Sequence, residues 1–166
     1  MSGLPGWSGL PVVRVAAGAF APQACAMTRE GRTTIRVRWG ETDPMGIVFY
    51  PTYLAWFDHA THELFATSGR SLLAWLREEG ISIPIAECGA RFRAPVFADD
   101  ELVIRAAVAQ VGSQSLRIEH VAERDGRPVA TGFEVRVAAR LEEGRLRVDR
   151  LPDGLRAWLE GGDPLD

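Results

Sequence analysis

Residues 51–69 read PTYLAWFDHATHELFATSG, and this stretch decides the fold. Pro51 suits the first position of a helix, where its missing N–H costs nothing, and Gly69 is typical of a helix end. Because the apolar stripe between them is broad, we expect a sheet to wrap around this helix. The stripe recurs at helical spacing and consists of Tyr53, Trp56, Phe57, Ala60, Leu64 and Phe65.

The flanking sequence predicts strands and a second short helix. Residues 33–39 alternate and are β-branched, which indicates a half-buried strand, and residues 40–49 are typical of a loop. Residues 71–79 predict a short helix, with Ser71 as its cap and Gly80 at its end. One strand, a long helix and then four or five antiparallel strands make an α+β domain. The later elements are strands at 81–97, 101–111, 115–124, 128–141 and 145–149, a hairpin turn at Asp125-Gly126 and a short helix at 152–159.

The composition excludes several classes of protein. Nineteen basic and 22 acidic residues give a net charge of −3, which does not fit a general nucleic-acid binder. No apolar run of about 18 residues occurs, so we expect no membrane partner. The two cysteines, Cys25 and Cys88, form no CxxC motif, which disfavours a disulfide framework or a cysteine zinc site. A cytoplasmic location fits this composition best.

The N-terminal segment differs from the rest of the chain. We expect residues 1–29 to form an irregular extension, because their apolar residues follow neither a helix nor a strand period, and residues 30–166 to form the folded domain. Disorder and a start assigned too early, with Met27 as the alternative start, are both open for this extension. Secretion is disfavoured, because Arg14 and Pro22 interrupt its apolar stretch.

Residues 37–58 carry the sequence VRWGETDPMGIVFYPTYLAWFD. This stretch resembles the signature of the 4-hydroxybenzoyl-CoA thioesterase family, and the resemblance extends over roughly residues 33–148. It implies a hotdog fold, in which an antiparallel β-sheet wraps around a long central α-helix. It also implies acyl-CoA as the substrate, no cofactor, and homodimers paired sheet to sheet that assemble into homotetramers, with active sites at the dimer interface.

Asp43 is the candidate catalytic group, because a thioester needs a nucleophile or base near its carbonyl carbon. Both roles are open on the residues, and the resemblance favours the nucleophile. The resemblance places the oxyanion donor at the N–H of Tyr50, where the unpaired N–H groups and positive dipole of a helix start suit it. Gly46 permits close approach of the backbone, and its N–H is a second candidate donor. Taken alone, Asp43-Pro44 would indicate only a turn.

Other residues are candidates for substrate binding. The resemblance suggests that Asp58 accepts a hydrogen bond from a hydroxyl of the acyl group across the dimer interface; a solvated or salt-bridged carboxylate is the alternative. Four aromatic residues are candidates for the pocket wall, although core packing is their commoner use: Trp39, Phe49, Trp56 and Phe57.

The sequence leaves two alternatives for recognition of the CoA phosphates. Residues 111–115, where the aromatic-CoA enzymes can carry a basic cluster, contain no Lys or Arg. Either other arginines bind the phosphates or the carrier is different, for example an acyl carrier protein. The candidate arginines, each also explicable as an ordinary strand-face charge, are Arg91, Arg93, Arg117 and Arg136.

The remaining histidines and cysteine predict no metal site. His59 and His62 have helical i, i+3 spacing, but no third ligand is evident. We expect His120 to be a structural or surface histidine and Cys88 to be a buried structural thiol.

The sequence therefore predicts a thioester hydrolase that acts on an aromatic acyl-CoA of the 4-hydroxybenzoyl type. One alternative is hydrolysis of short- or medium-chain aliphatic acyl-CoA or acyl-carrier-protein esters. An alternative from another class is a non-catalytic hotdog protein that binds acyl-CoA.

Overall fold

The structure, a computed structural model, describes residues 29–142 and 145–163. It contains three α-helices in this part of the chain: α1 (Pro51–Ala66), α2 (Leu72–Glu79) and α3 (Asp153–Leu159). The strands are β1 (Glu30–Arg36), β2 (Ile81–Ser82), β3 (Ile85–Phe92), β4 (Glu101–Val111), β5 (Ser115–Arg124), β6 (Arg127–Val137), β7 (Ala139–Glu142) and β8 (Arg145–Val148). The expectations for residues 1–28 lie outside the described residues.

Five strands form one antiparallel sheet in the order β1-β4-β5-β6-β3, and β2, β7 and β8 form a smaller sheet. Helix α1 contacts β1, β3, β4 and β6, so it lies on one face of the larger sheet. Its apolar stripe is buried there, as its breadth predicted. The α+β class and the hotdog arrangement are therefore confirmed.

Local sequence signals set most of the element ends. Pro51 begins α1, the Ser71 hydroxyl accepts the Ala74 N–H at the start of α2, and Gly80 ends α2 in the left-handed conformation. Asp125 and Gly126 both have positive φ, as the tight turn between β5 and β6 requires. Strands β4 and β5 have the predicted bounds.

The first strand begins earlier than predicted. Strand β1 spans Glu30–Arg36, whereas Trp39 lies in a 3-10 turn closed by the bond from the Glu41 N–H to the Arg38 carbonyl. Gly31, within this strand, faces α1, where an added Cβ would lie 3.2 Å from Leu64. A glycine is placed there because the strand and the helix approach closely.

Candidate active site

Asp43 lies in a tight turn between the 3-10 segment and α1. The Asp43 N–H donates to the Ile47 carbonyl at 2.8 Å, and the Gly46 N–H donates to the Asp43 carbonyl at 2.8 Å. The Asp43 carboxylate accepts the Met45 N–H at 2.8 Å through Oδ1. Gly46 has a φ of +79°, which only glycine adopts without strain. The turn therefore fixes Asp43 and keeps its carboxylate partly exposed.

This turn also changes the expectation for Gly46. Its N–H is already used inside the turn, so it is not free to bind an acyl oxygen in this conformation. The role of Gly46 in the structure is to supply the left-handed backbone that lets the turn close.

The beginning of α1 presents one unpaired donor. The Thr52 N–H donates to the Phe49 carbonyl at 2.9 Å, the Tyr53 N–H donates to the Tyr50 carbonyl at 3.3 Å, and Pro51 has no N–H. Within the described ranges, no hydrogen bond involves the N–H of Tyr50. Tyr50 is the N-cap residue, where the helix dipole is positive, so its N–H suits a developing negative charge.

Glu41 ties the turn to the helix. The Phe49 N–H donates to the Glu41 carbonyl at 2.9 Å, and the Glu41 carboxylate accepts bonds from Arg38 at 2.7 Å and from the Trp56 indole at 3.4 Å. Burial acts to raise the pKa of Glu41, but the hydrogen bonds from Arg38 and Trp56 outweigh it and leave that pKa below its ordinary value. Glu41 is thus an ionised structural group beside Asp43.

The predicted aromatic residues divide into two groups. Trp39 is 85% exposed, and Phe49 and Tyr50 are also exposed, with their rings 5.1 Å apart. Trp56 and Phe57 are buried in the core, and Phe57 stacks on His120 at 4.8 Å. Phe57 therefore has no surface to offer a ligand in this protomer, whereas Trp39 and Phe49 do.

Asp58 is held by a buried polar network that the sequence did not indicate. Its carboxylate binds Arg136, which also donates to Glu134 at 2.9 Å. The Thr61 hydroxyl donates to Glu134 at 2.9 Å and lies 3.0 Å from Nε2 of His120. The salt-bridged alternative for Asp58 describes its geometry, and its side chain remains 43% exposed.

Two expectations from the sequence are wrong, one for Arg136 and one for Cys88. Arg136 is 3% exposed and paired with carboxylates, so it is neither an ordinary strand-face charge nor accessible to a CoA phosphate. Cys88 is exposed instead of buried, because β3 is an edge strand of the sheet. The pKa of the Cys88 thiol is raised, first by partial burial and then by the charge of Glu134, which does not favour a nucleophilic role.

The other arginine candidates lie on the sheet surface. Arg91 and Arg93 are exposed at and just beyond the end of β3. Arg117 donates to Glu119 at 2.7 Å and lies over the Phe133 ring at 4.1 Å. These three arginines keep accessible surface, unlike Arg136.

His120 is a structural histidine, and the surface alternative is wrong. Burial, followed by the charge of Arg136, lowers its pKa to about 3. It is therefore neutral at physiological pH.

No group of three metal-binding side chains occurs within residues 29–142 and 145–163. His62 lies 3.7 Å from the Asp58 carboxylate, and His59 is exposed. No helix in the described part of the chain is long and apolar enough to cross a membrane.

Residues 37–159, from the residue after β1 through α3, match the family described as the thioesterase-like superfamily. The chain belongs to the thioesterase-like superfamily. The match includes Asp43, the beginning of α1 and the polar network around Asp58.

Relatives in this superfamily support the same grouping. The chain is 32% identical over 126 residues to the 4-hydroxybenzoyl-CoA thioesterase of Pseudomonas sp. strain CBS-3, an alignment that covers 70% of this chain and 88% of the relative. It is 30% identical over 129 residues to the 1,4-dihydroxy-2-naphthoyl-CoA hydrolase of Synechococcus sp. strain CC9605, covering 75% and 85%. The family expected from residues 37–58 is thereby confirmed.

Solved structures agree with the fold. The structure of a gentisyl-coenzyme A thioesterase is similar, with a TM-score of 0.69 and 34% identity over 75% of this chain and 98% of that one. The Pseudomonas 4-hydroxybenzoyl-CoA thioesterase gives a TM-score of 0.72 and 30% identity, covering 76% and 96%. A mutant of the latter enzyme has been solved in complex with 4-hydroxybenzoyl-CoA.

Proposed function

We propose that this protein hydrolyses an aromatic acyl-CoA thioester to the free acid and CoA, with Asp43 as its catalytic carboxylate. One observation carries the proposal: a partly exposed carboxylate is fixed in a closed turn on the segment that leads to a helix start, and the Tyr50 N–H at that start is unpaired. An acyl transfer site needs both groups, a nucleophile or base and a donor for the oxyanion. The relatives that act on 4-hydroxybenzoyl-CoA, gentisyl-CoA and 1,4-dihydroxy-2-naphthoyl-CoA support an aromatic substrate.

Two chemical routes fit this geometry. As a nucleophile, Asp43 attacks the thioester carbon and releases CoA thiolate, and water then hydrolyses the mixed anhydride. As a general base, Asp43 takes a proton from a water molecule that attacks the carbon directly. In both routes the Tyr50 N–H stabilises the oxyanion. A single turnover in ¹⁸O-labelled water tests the nucleophilic route: an unlabelled oxygen of Asp43 in the product establishes it, because attack of water on the Asp43 side of the anhydride transfers that oxygen.

The acyl group is placed by Asp58 and by the exposed aromatic residues of the motif. We assign Asp58 as the acceptor for a hydroxyl on the acyl group, because its carboxylate is partly exposed and lies on the same helix as Tyr50. Trp39 and Phe49, which lie before and after Asp43 in the sequence, supply accessible aromatic surface, which suits an aromatic ring. Arg91, Arg93 and Arg117 are the arginines that we assign to the CoA phosphates.

Dimerisation along β3 is part of the proposal. Strand β3 is an edge of the larger sheet, and its Ile85 and Phe92 side chains are exposed. Pairing of β3 with the same strand of a second copy would cover both side chains and extend the sheet. A homotetramer and a cytoplasmic location remain predictions from the sequence.

The test is CoA release from a panel of thioesters by purified protein. The panel comprises benzoyl, hydroxybenzoyl, aminobenzoyl, phenylacetyl and aliphatic CoA esters and an acyl-carrier-protein ester. We expect turnover of an aromatic ester, and Asp43→Asn to lower kcat by at least about a hundredfold, the scale of a positioned acid, base or nucleophile. Asp125→Asn, at an exposed aspartate in the β5–β6 turn, is the matched control and should leave kcat unchanged.

Each contrary outcome has a distinct meaning. Full turnover by Asp43→Asn contradicts the catalytic assignment. A preference for aliphatic or carrier-protein esters contradicts the substrate class alone. Binding of acyl-CoA without any CoA release by the wild-type protein contradicts hydrolysis and favours a binding protein.

A further inference from the structure

The network behind Asp58 is built into the core. Glu134 and Arg136 alternate along β6 and lie opposite Ile118 and Leu116 of β5, both of which are core residues. Their side chains are 2% and 4% exposed. Two charged side chains at inward positions of a central strand are costly to bury, so stability alone does not explain why they are there.

Each member of the network is fixed by the next. The Arg136 guanidinium uses Nε on Glu134, one terminal nitrogen on the Ile83 carbonyl at 3.3 Å and the other on Asp58. A hydroxyl carries one proton and a carboxylate only accepts, so Thr61 donates to Glu134 and accepts from Nε2–H of neutral His120. The guanidinium therefore has its orientation set from within the core.

Only one end of this network reaches the surface, and that end is Asp58. Its Oδ1 binds Arg136 and lies 3.7 Å from Nε2 of His62. No bond within the described residues involves Oδ2. Two carboxylates therefore share one guanidinium, and Asp58 is the partly exposed one.

We propose that Arg136, oriented by Glu134, is a positioning residue for Asp58. It holds the Asp58 carboxylate with one oxygen bound and the other free to accept a hydrogen bond. This arrangement makes the site selective for acyl groups that carry a hydroxyl remote from the thioester. This inference rests on the proposed function and assigns its specificity to a residue that never touches the substrate. Arginine suits the task because its planar fork fixes two carboxylates at once. A substrate without the hydroxyl leaves Oδ2 unsatisfied when bound, and the site disfavours it.

The test compares 4-hydroxybenzoyl-CoA with benzoyl-CoA. For the wild-type protein we expect kcat/KM to favour the hydroxylated ester at least about tenfold, the scale of a hydrogen bond to a charged group. Arg136→Met combined with Glu134→Gln removes one charge of each sign and keeps an acceptor for Thr61. This double variant should lose the preference for the hydroxylated ester. Its kcat/KM for benzoyl-CoA should stay within about threefold of wild type, because the variant removes an interaction with the hydroxyl, which benzoyl-CoA lacks.

Further variants separate positioning from packing. Asp58→Asn should lose the preference by itself, and adding the double change to it should have no further effect on the ratio. Arg136→Lys, which keeps the charge without the fork, should retain part of the preference. Circular dichroism and thermal unfolding show whether each variant is folded. A folded double variant that keeps the preference, or loses activity on both esters equally, overturns the inference.

Failure of the proposed function is a separate result. A wild-type protein that releases CoA from neither ester contradicts hydrolysis. In that case, calorimetry measures the affinity of the wild-type protein and of the double variant for both esters, and the ratio of the two affinities replaces the ratio of kcat/KM. Equal affinity of the wild-type protein for the two esters would overturn the positioning role in that case.

Discussion

At the scale of single residues, polar side chains differ in whether they bind other parts of the protein or stay partly exposed. Asp43 is held by backbone hydrogen bonds of its own turn and keeps a partly exposed carboxylate. The carboxylate of Glu41, two residues before it, accepts hydrogen bonds from Arg38 and Trp56. His120, in the core, is also bound within the protein: its Nε2 is hydrogen-bonded to the Thr61 hydroxyl, and its ring stacks on Phe57. The partly exposed carboxylate of Asp43 is compatible with the catalytic role that we propose for it.

The burial of His120 predicts a pH dependence of stability. Its pKa is about 3 in the folded protein and near 6.5 in the unfolded chain, so between these values only the unfolded chain binds the proton. The free energy of unfolding should therefore fall as the pH falls below about 6.5, by up to about 1.4 kcal/mol per pH unit from this group.

The measurement is denaturant unfolding at pH 7, 6 and 5 for wild type and His120→Gln. The variant should show a shallower fall, because glutamine does not titrate. His59→Gln, at an exposed position of α1, controls for the loss of a surface histidine. Parallel curves for wild type and His120→Gln would contradict the prediction.

At the scale of elements, the close approach of α1 to β6 sets the position of the helix. A Cβ added at Gly132 would lie 2.3 Å from the Phe57 ring and 2.8 Å from the Gly89 carbonyl, distances that real side chains do not reach. Glycine at this position lets the Phe57 ring approach the strand closely. The same approach brings Asp58, the next residue of α1, within reach of Arg136.

Gly132→Ala should therefore destabilise the protein by about 1–3 kcal/mol, the usual cost of forcing an extra carbon into a packed core. Denaturant unfolding measures this change. Gly40→Ala is the matched control, because a Cβ at Gly40 meets nothing within 4 Å and no positive φ is needed there. Equal stability of the two variants would show that the helix can move away from the sheet at little cost.

At the scale of the whole molecule, the two edges of the larger sheet differ. Strand β1 carries charged residues along its exposed side, including Arg32 and Arg36, a common device against edge pairing. Strand β3 is exposed over much of its length and presents Ile85 and Phe92. This asymmetry favours association through β3.

We expect sedimentation to give at least twice the protomer mass of 18.2 kDa under reducing conditions. Cys88→Lys, which puts a charge on the exposed β3 edge, should shift the protein towards the protomer. Thr34→Lys makes the same change on β1, also at an exposed position, and should leave the mass unchanged. A wild-type protein that sediments as a protomer, or a Thr34→Lys variant that dissociates as Cys88→Lys does, would contradict association through β3.

The sequence by itself determined the elements whose signals are local. Pro51, Ser71, Gly80 and the turn at Asp125-Gly126 mark ends that depend on backbone geometry alone, and the broad stripe of α1 required a sheet around it. The ordered motif of residues 37–58 was sufficient for the family, and it is also the source of the hypothesis that Asp43 is the catalytic carboxylate.

Only the tertiary structure decided what depends on distant neighbours. Arg136 is buried because β6 lies between β5 and β3 beneath α1, where Glu134 and Asp58 can pair with it. Cys88 is exposed because β3 has a neighbour on one side only. Strand alternation shows which residues share a face, but the pairing of strands decides whether that face carries a helix, a partner or solvent.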